Sequence, residues 1–267
     1  MGGRISDPFP KGGEASGREI RVGGYPVRYE MAGKGEPIIL VHGLSGSTRW
    51  WSRNVPVLAE RYRVYLIDLP GFGAMRRLRR RFVLAEAASW LSAWMEAVSL
   101  QSAHLVGHSM GGYVCVRLAG RRPEAVRSLV LVAPAGVPTG RSVFGYLSPL
   151  LLAVRYATPY FLPVLLYDAL RTGPVTLWRA ARDLLAEDVR GDLQRIEAPT
   201  LLIWGENDTL VPPGGRYHLA RGDPGFAPAR AEWGGARAYV RPARRVQRGA
   251  PLVPRRGTGR RLMALRL

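Results

Sequence analysis

Cysteine, histidine and acidic residues are all scarce in this chain, and each shortage excludes something. A single cysteine, Cys115, stands among 267 residues, so no disulfide framework can form and a reducing compartment, the cytoplasm, is expected. The four histidines, His42, His104, His108 and His218, do not gather with cysteine at metal-ligand spacing. A phosphate-cradling glycine loop is also missing, so neither a cofactor nor a metal is expected. The first twenty residues are polar and glycine-rich, without the apolar stretch of a signal peptide. The longest apolar stretch, Val143 to Leu170, is interrupted by Pro149, Pro159 and Pro163 and carries Arg155 and Asp168 well inside it, which argues against a membrane span. Acid is outnumbered, with 20 Asp and Glu against 39 Lys and Arg, a net charge of +19. Such an excess usually points to nucleic acid or an anionic membrane, but it is unevenly spread. From Gly222 to Leu267 eleven arginines face Asp223 and Glu232, a net +9, which leaves +10 on the 221 residues before them.

What is present is an ordinary apolar fraction of 47% on a length that suits one large α/β domain or two small ones. Glu19 to Ala32 alternates apolar and polar residues around Gly23-Gly24 and reads as a β-hairpin. Pro37 to Val41, Val64 to Asp68, His104 to Val106, Ser128 to Val132 and Pro199 to Trp204 are short continuous apolar runs, as expected of strands buried on both faces. Helical stretches fall between them, from Trp50 to Tyr62 and from Leu84 to Val98, the latter with Leu84, Ala88, Leu91 and Met95 on one face. Strands alternating with helices predict a mostly parallel sheet with helices on both faces. Between Pro138 and Arg195 the alternation stops, and the apolar composition there predicts a helical cap that excludes water over an apolar substrate.

The chain is organised around Gly107-His108-Ser109-Met110-Gly111, which follows one of these strands and opens a helix. A serine in so tight a strand-to-helix turn sits in a sparsely populated backbone conformation. Side chains at Gly107 and Gly111 would collide with the neighbouring strand and helix. The turn lifts the Ser109 hydroxyl out of the sheet and places the Met110 N–H at a helix N-terminus, where it points at an oxyanion formed when Ser109 attacks a carbonyl.

Together with His42-Gly43, the Asp68-Leu69-Pro70-Gly71-Phe72-Gly73 loop and Trp204-Gly205-Glu206-Asn207-Asp208, this chain resembles the serine hydrolases of the α/β-hydrolase fold from about Glu19 to Val211. The resemblance implies Ser109 as nucleophile, Asp208 as the acid that orients an imidazole, and the Leu44 and Met110 N–H groups as the oxyanion hole. Losing either donor is worth about 3 kcal/mol of transition-state stabilisation. His42, Gly43, Gly107, His108 and Gly111 support the motifs, and Asp68 bonds loop amides. The serine at the elbow argues against the haloalkane dehalogenase and epoxide hydrolase branches, which carry aspartate there. The implied architecture has its helical cap inserted after the sixth strand, with the last strand and helix missing or disordered. In domain terms this gives core at 19–138 and 196–221, cap at 139–195, and an Arg/Pro/Gly-rich tail at 222–267.

One part of the pattern fails. The family's base is a histidine well beyond the acid, before a last helix, yet nothing after His218 is histidine. His218 lies ten positions past Asp208, too close for the usual geometry. The tail reads either as a basic disordered segment able to bind nucleic acid or acidic lipid, or as the product of a changed reading frame near Arg221-Gly222. The second is preferred on codon arithmetic. Read one nucleotide later, Asp223 to Phe226 can encode Ile-Pro-Gly-Ser, Ala238-Tyr239 can encode His-Met, and Val246 to Arg248 can encode Phe-Asn. The histidine then falls thirty positions after Asp208, where the resemblance places the base.

The expected function is a serine hydrolase that cleaves carboxylic ester or thioester bonds of a small hydrophobic substrate through an acyl-enzyme on Ser109. No nucleic-acid partner is expected on this reading, and the apolar cap allows peripheral membrane contact. The alternative is a catalytically impaired, α/β-hydrolase-like binding protein whose basic tail engages nucleic acid or membrane.

Overall fold

Gly23 and Gly24, at φ 56° and 82°, form a two-residue turn with positive φ at both positions. Glycine adopts this readily, and the turn's twist matches that of the strands it joins. Those strands are β1 (Ser16–Val22) and β2 (Tyr25–Ala32), paired from Val22 and Tyr25 outward, as the alternation predicts. The computed structural model describes residues 16–77, 83–138, 140, 142–146, 159, 161–205, 208, 227–233 and 236–241, and the structural statements here concern these.

β2 pairs antiparallel with β4 (Tyr62–Ile67). From there the sheet is parallel through β3 (Glu36–Val41), β5 (Ala103–His108), β6 (Val126–Val132) and β7 (Thr200–Gly205). Side chains alternate between faces along each strand, and both faces are buried. Ile39, Val41, Ile67, Leu105, Leu129, Leu131 and Leu202 belong to one core. Ile38, Leu40, Val64, Leu66, Val106, Val130 and Leu201 belong to the other. Each such side chain contributes about 1.5–3 kcal/mol on burial, which is why these strands read as continuous apolar runs.

The first core is closed by α2 (Ala87–Ala97) and α3 (Met110–Arg121), with Leu84, Ala88, Leu91 and Met95 all buried. The second is closed by a 3-10 turn at Thr48–Trp51 and by α1 (Val55–Ala59). The single helix expected from Trp50 to Tyr62 is therefore two short pieces. Pro56 is tolerated only in the first turn of a helix, so α1 starts beside it. Tyr62 is drawn into β4, opposite Glu36.

After β6 come α4 (Phe161–Thr172), α5 (Pro174–Ala186) and α6 (Arg190–Leu193), ahead of β7. Arg117 of α3 anchors this insertion from below. Its guanidinium donates to Asp192 Oδ2 at 2.7 Å and to Glu187 Oε2 at 2.5 Å. No helix among the described residues is long and apolar enough to cross a membrane.

The far edge corrects the expectation that strands end at β7. β9 (Ala236–Arg241) pairs antiparallel with β7, from Thr200 opposite Arg241 to Gly205 opposite Ala236, and β8 (Ala227–Trp233) pairs antiparallel with β9. An edge strand presents a row of unpaired N–H and C=O groups, and any extended segment can satisfy them through its backbone, whatever its side chains. The order is β1-β2-β4-β3-β5-β6-β7-β9-β8. Residues 209–226 and 242–267, which include His218 and most of the tail, lie outside the described residues.

Candidate active site

Ser109 links the end of β5 to the start of α3 with φ 51° and ψ −116°, a backbone conformation that costs a non-glycine residue about 1–3 kcal/mol. Three backbone hydrogen bonds hold it there. Its N–H donates to the Val132 carbonyl at 3.0 Å, and its carbonyl accepts from the Tyr113 and Ala135 N–H groups, each at 3.1 Å. The neighbouring glycines are needed for packing. A Cβ on Gly107 would stand 2.5 Å from the Gly111 carbonyl oxygen, and one on Gly111 would stand 2.3 Å from that of Val41. A Cβ on Gly112 would stand 2.7 Å from Pro134. As the first residue of α3, Met110 has an N–H with no acceptor inside the helix.

The second half of the site is the turn after β3. The Gly46 N–H closes it on the Gly43 carbonyl at 3.0 Å, with Ser45 in the left-handed region at φ 65°. Leu44 occupies the turn, and its side chain packs against the first core. Gly43 faces the elbow directly. A Cβ there would lie 2.8 Å from His108 Nδ1, and 3.1 Å from both Ser109 Cβ and the Trp50 ring. The structure thus brings together Gly43, Ser109, His108 and Trp50. Trp50 is not among the site residues expected from the sequence, where it stands only at the start of a helical stretch, because a lone indole there carries no motif of its own.

His42 staples two loops. The Leu69 N–H donates to its Nε2 at 3.0 Å, which places the ring proton on Nδ1, 2.8 Å from the Gly43 carbonyl. Burial lowers its pKa to about 4, against the opposing hydrogen bond to Gly43 and the Asp168 charge. Asp68 binds loop amides, as expected, accepting from the Thr48 and Ala74 N–H groups at 2.7 Å each. Burial pushes its pKa up to about 6, opposed by those two hydrogen bonds. His108 Nδ1 is buried and has no hydrogen-bond partner among the described residues. Burial, with the His42 charge, lowers its pKa to about 4. His104 sits at the opposite end of β5 and engages Ser128 Oγ and Glu36. Cys115 is buried in α3, and burial pushes its thiol pKa up.

Asp208 lies just beyond the end of β7, half-buried, with its N–H donating to the Gly205 carbonyl at 3.3 Å. Since β5, β6 and β7 are parallel neighbours, Ser109 and Asp208 stand at the same carboxyl edge of the sheet, where ligands of open α/β sheets bind. Among the described residues no three His, Cys, Asp or Glu side chains converge as a metal-ligand set.

One contact was not legible as a site feature. Asp168 of α4 is 2% exposed. It accepts from Ser47 Oγ at 2.6 Å and from Arg49 Nη1 at 3.1 Å. In the sequence it stood only as a charge arguing against a membrane span, because its partners lie about 120 residues away. The Arg49 guanidinium also stacks 5.1 Å from the Tyr167 ring, and Trp50 meets Phe161 and His108 edge-on at 5.1 and 5.5 Å.

Known proteins place this geometry in context. The family model for the alpha/beta hydrolase fold matches residues 36–178. The chain is 33% identical over 227 residues to the dihydrolipoyllysine-residue acetyltransferase component of the acetoin cleaving system of Pseudomonas putida, covering 77% of this chain and 59% of that protein. It therefore spans less than two thirds of that relative's length. It is 31% identical over 212 residues to the pimeloyl-[acyl-carrier protein] methyl ester esterase of Aeromonas hydrophila, covering 70% of this chain and 82% of that one. A meta-cleavage product hydrolase from Pseudomonas fluorescens superimposes with a TM-score of 0.61 at 25% identity, covering 77% of this chain and 85% of that one. On sequence and on architecture alike, the chain belongs to the α/β hydrolase fold family.

Proposed function

We propose that this protein is a serine hydrolase that cleaves carboxylic ester or thioester bonds of small hydrophobic substrates. The observation that carries the reading is the Ser109 backbone, held at φ 51° against its conformational cost and set beside Gly43. In this mechanism Ser109 Oγ attacks the carbonyl carbon, and the oxyanion is met by the Met110 and Leu44 N–H groups. The alcohol or thiol departs, and water then releases the acid from the acyl-serine. Asp208 orients the imidazole that takes and returns the proton. The helices after β6 form the cap that excludes water from an apolar acyl or aryl group. A relative named as a methyl ester esterase and a solved structure named as a meta-cleavage product hydrolase support the class and leave the bond type to experiment.

The described histidines do not fit the role of base. Both ring nitrogens of His42 are engaged. His104 stands five residues up β5 from Ser109, about 16 Å along an extended strand. His108 turns Nδ1 toward Gly43. This supports a frame change near codon 222, with the base encoded in the shifted frame across Ala238-Tyr239. The deciding experiment treats two proteins with a fluorophosphonate probe and short p-nitrophenyl esters: this chain, and the chain with the frame restored. Labelling at Ser109 and turnover in the restored protein, both lost in Ser109→Ala, are expected. Absence of labelling in the restored protein overturns the hydrolase reading. An unaltered frame in the source DNA, with salt-sensitive binding to nucleic acid or anionic vesicles, favours a binding protein with a basic tail.

A further inference from the structure

The turn that carries Leu44 is held from three directions. His42 and Gly46 fix the Gly43 carbonyl. Asp68, at the end of β4, takes the Thr48 N–H. The third hold comes from outside the core. Ser47 Oγ caps the 3-10 turn by accepting from the Arg49 N–H at 3.3 Å, and donates its own proton to Asp168 Oδ2 on α4. Arg49 Nη1 donates to the other carboxylate oxygen. A cation–π contact, Arg49 over Tyr167, and an edge-on ring contact, Trp50 against Phe161, run in parallel, and Trp50 in turn abuts His108 beside the elbow.

We propose that Asp168 is a positioning residue that makes seating of cap helix α4 and ordering of the Leu44 turn a single event. A buried carboxylate is expensive unless it is paired. Asp168 keeps its partners only while α4 lies on the Thr48–Trp51 turn, so lifting the helix strips Ser47 and Arg49 of their acceptor at the same moment. A closed cap then means a formed oxyanion donor, and an open cap a loosened one. The role in acylation rests on the hydrolase reading, whereas the mechanical coupling does not.

The test combines two readouts on Asp168→Asn, which keeps an acceptor for Ser47 but cannot balance Arg49, and on Ser47→Ala, which removes the relay without leaving a charge. Amide hydrogen exchange is expected to rise roughly tenfold in both α4 and the 44–51 turn, with α3 unchanged. Acylation of Ser109 by p-nitrophenyl butyrate in the frame-restored protein is expected to fall about tenfold in kcat with KM little altered. Faster exchange in α4 alone overturns the coupling, as does a loss confined to KM. Exchange needs no turnover, so a protein whose Ser109 never acylates fails the hydrolase reading while still reporting on Asp168.

Discussion

Gly43 and Ser109 sit so close that one added methyl would fill the space between them: a Cβ on Gly43 lies 3.1 Å from Ser109 Cβ and 2.8 Å from His108 Nδ1. Relief would require the turn after β3 or the elbow to move, and the elbow is fixed by three backbone hydrogen bonds. Gly43→Ala is therefore expected to cost about 1–3 kcal/mol of stability. It should also slow fluorophosphonate labelling of Ser109 by at least tenfold or so, since misplaced oxyanion donors lose most of their effect. A thermal melt and a labelling time course check this, and an unaltered labelling rate would contradict it.

The buried histidines make stability acid-sensitive. His42 has a folded pKa of about 4 against an ordinary 6.5, so the unfolded chain takes up the proton first. The resulting stability is fully present above pH 6.5 and is lost as pH falls toward 4, by about 3 kcal/mol. His108 acts in the same direction over the same range. Asp68, raised to about 6 from 3.8, acts oppositely, since the folded state holds its proton longer and gains stability as pH falls from 6. Burial also lowers the His104 pKa and raises that of Asp168, so three histidines stand against two carboxyls, and urea midpoints should decline between pH 7 and 4.5. His42→Gln should flatten that decline while lowering the midpoint at pH 7.

How far the sequence reveals this arrangement depends on how local the cause is. β3 and β5 were legible because burial on both faces makes a strand continuously apolar. The elbow was legible because collisions between residues 107 and 111 dictate glycine. The piece from Trp50 to Tyr62 was misread because strand pairing with Glu36 overrides a helix-like pattern at Tyr62. β8 and β9 left no signal, since Ala, Arg and Pro mark no face and the pairing is supplied by the edge of β7. The contacts of Asp168 left no signal for a related reason, its partners being close in space and remote in sequence.

Arg117 offers a test of the anchor beneath the cap. It is the shared partner of Asp192, which is 5% exposed, and of Glu187, and its Nε reaches Tyr113 Oη at 3.2 Å. Arg117→Met keeps the stem but strands the Asp192 carboxylate, and breaking a buried pair on one side costs about 3–5 kcal/mol. Asp192→Asn leaves no buried anion and should cost distinctly less. Equal losses from the two substitutions in urea melts would show that the pair, not the stranded charge, sets the effect.

The hairpin at the far edge makes opposite predictions for the two accounts of the tail. In the structure β9 covers the outer edge of β7 along its whole length, from Thr200 to Gly205. A chain ending at Arg221 would lose β8 and β9 and expose a strand whose neighbour β6 is fully engaged, a template for intermolecular pairing. That truncation is expected to aggregate on refolding, as judged by light scattering and size-exclusion chromatography. Restoring the reading frame after Arg221 instead replaces the hairpin with a different sequence, and should give a monodisperse protein that melts higher than this chain. If the truncated chain is as soluble and as stable as the full one, the hairpin contributes nothing to the sheet, and the arginine-rich segment must be explained by what it binds.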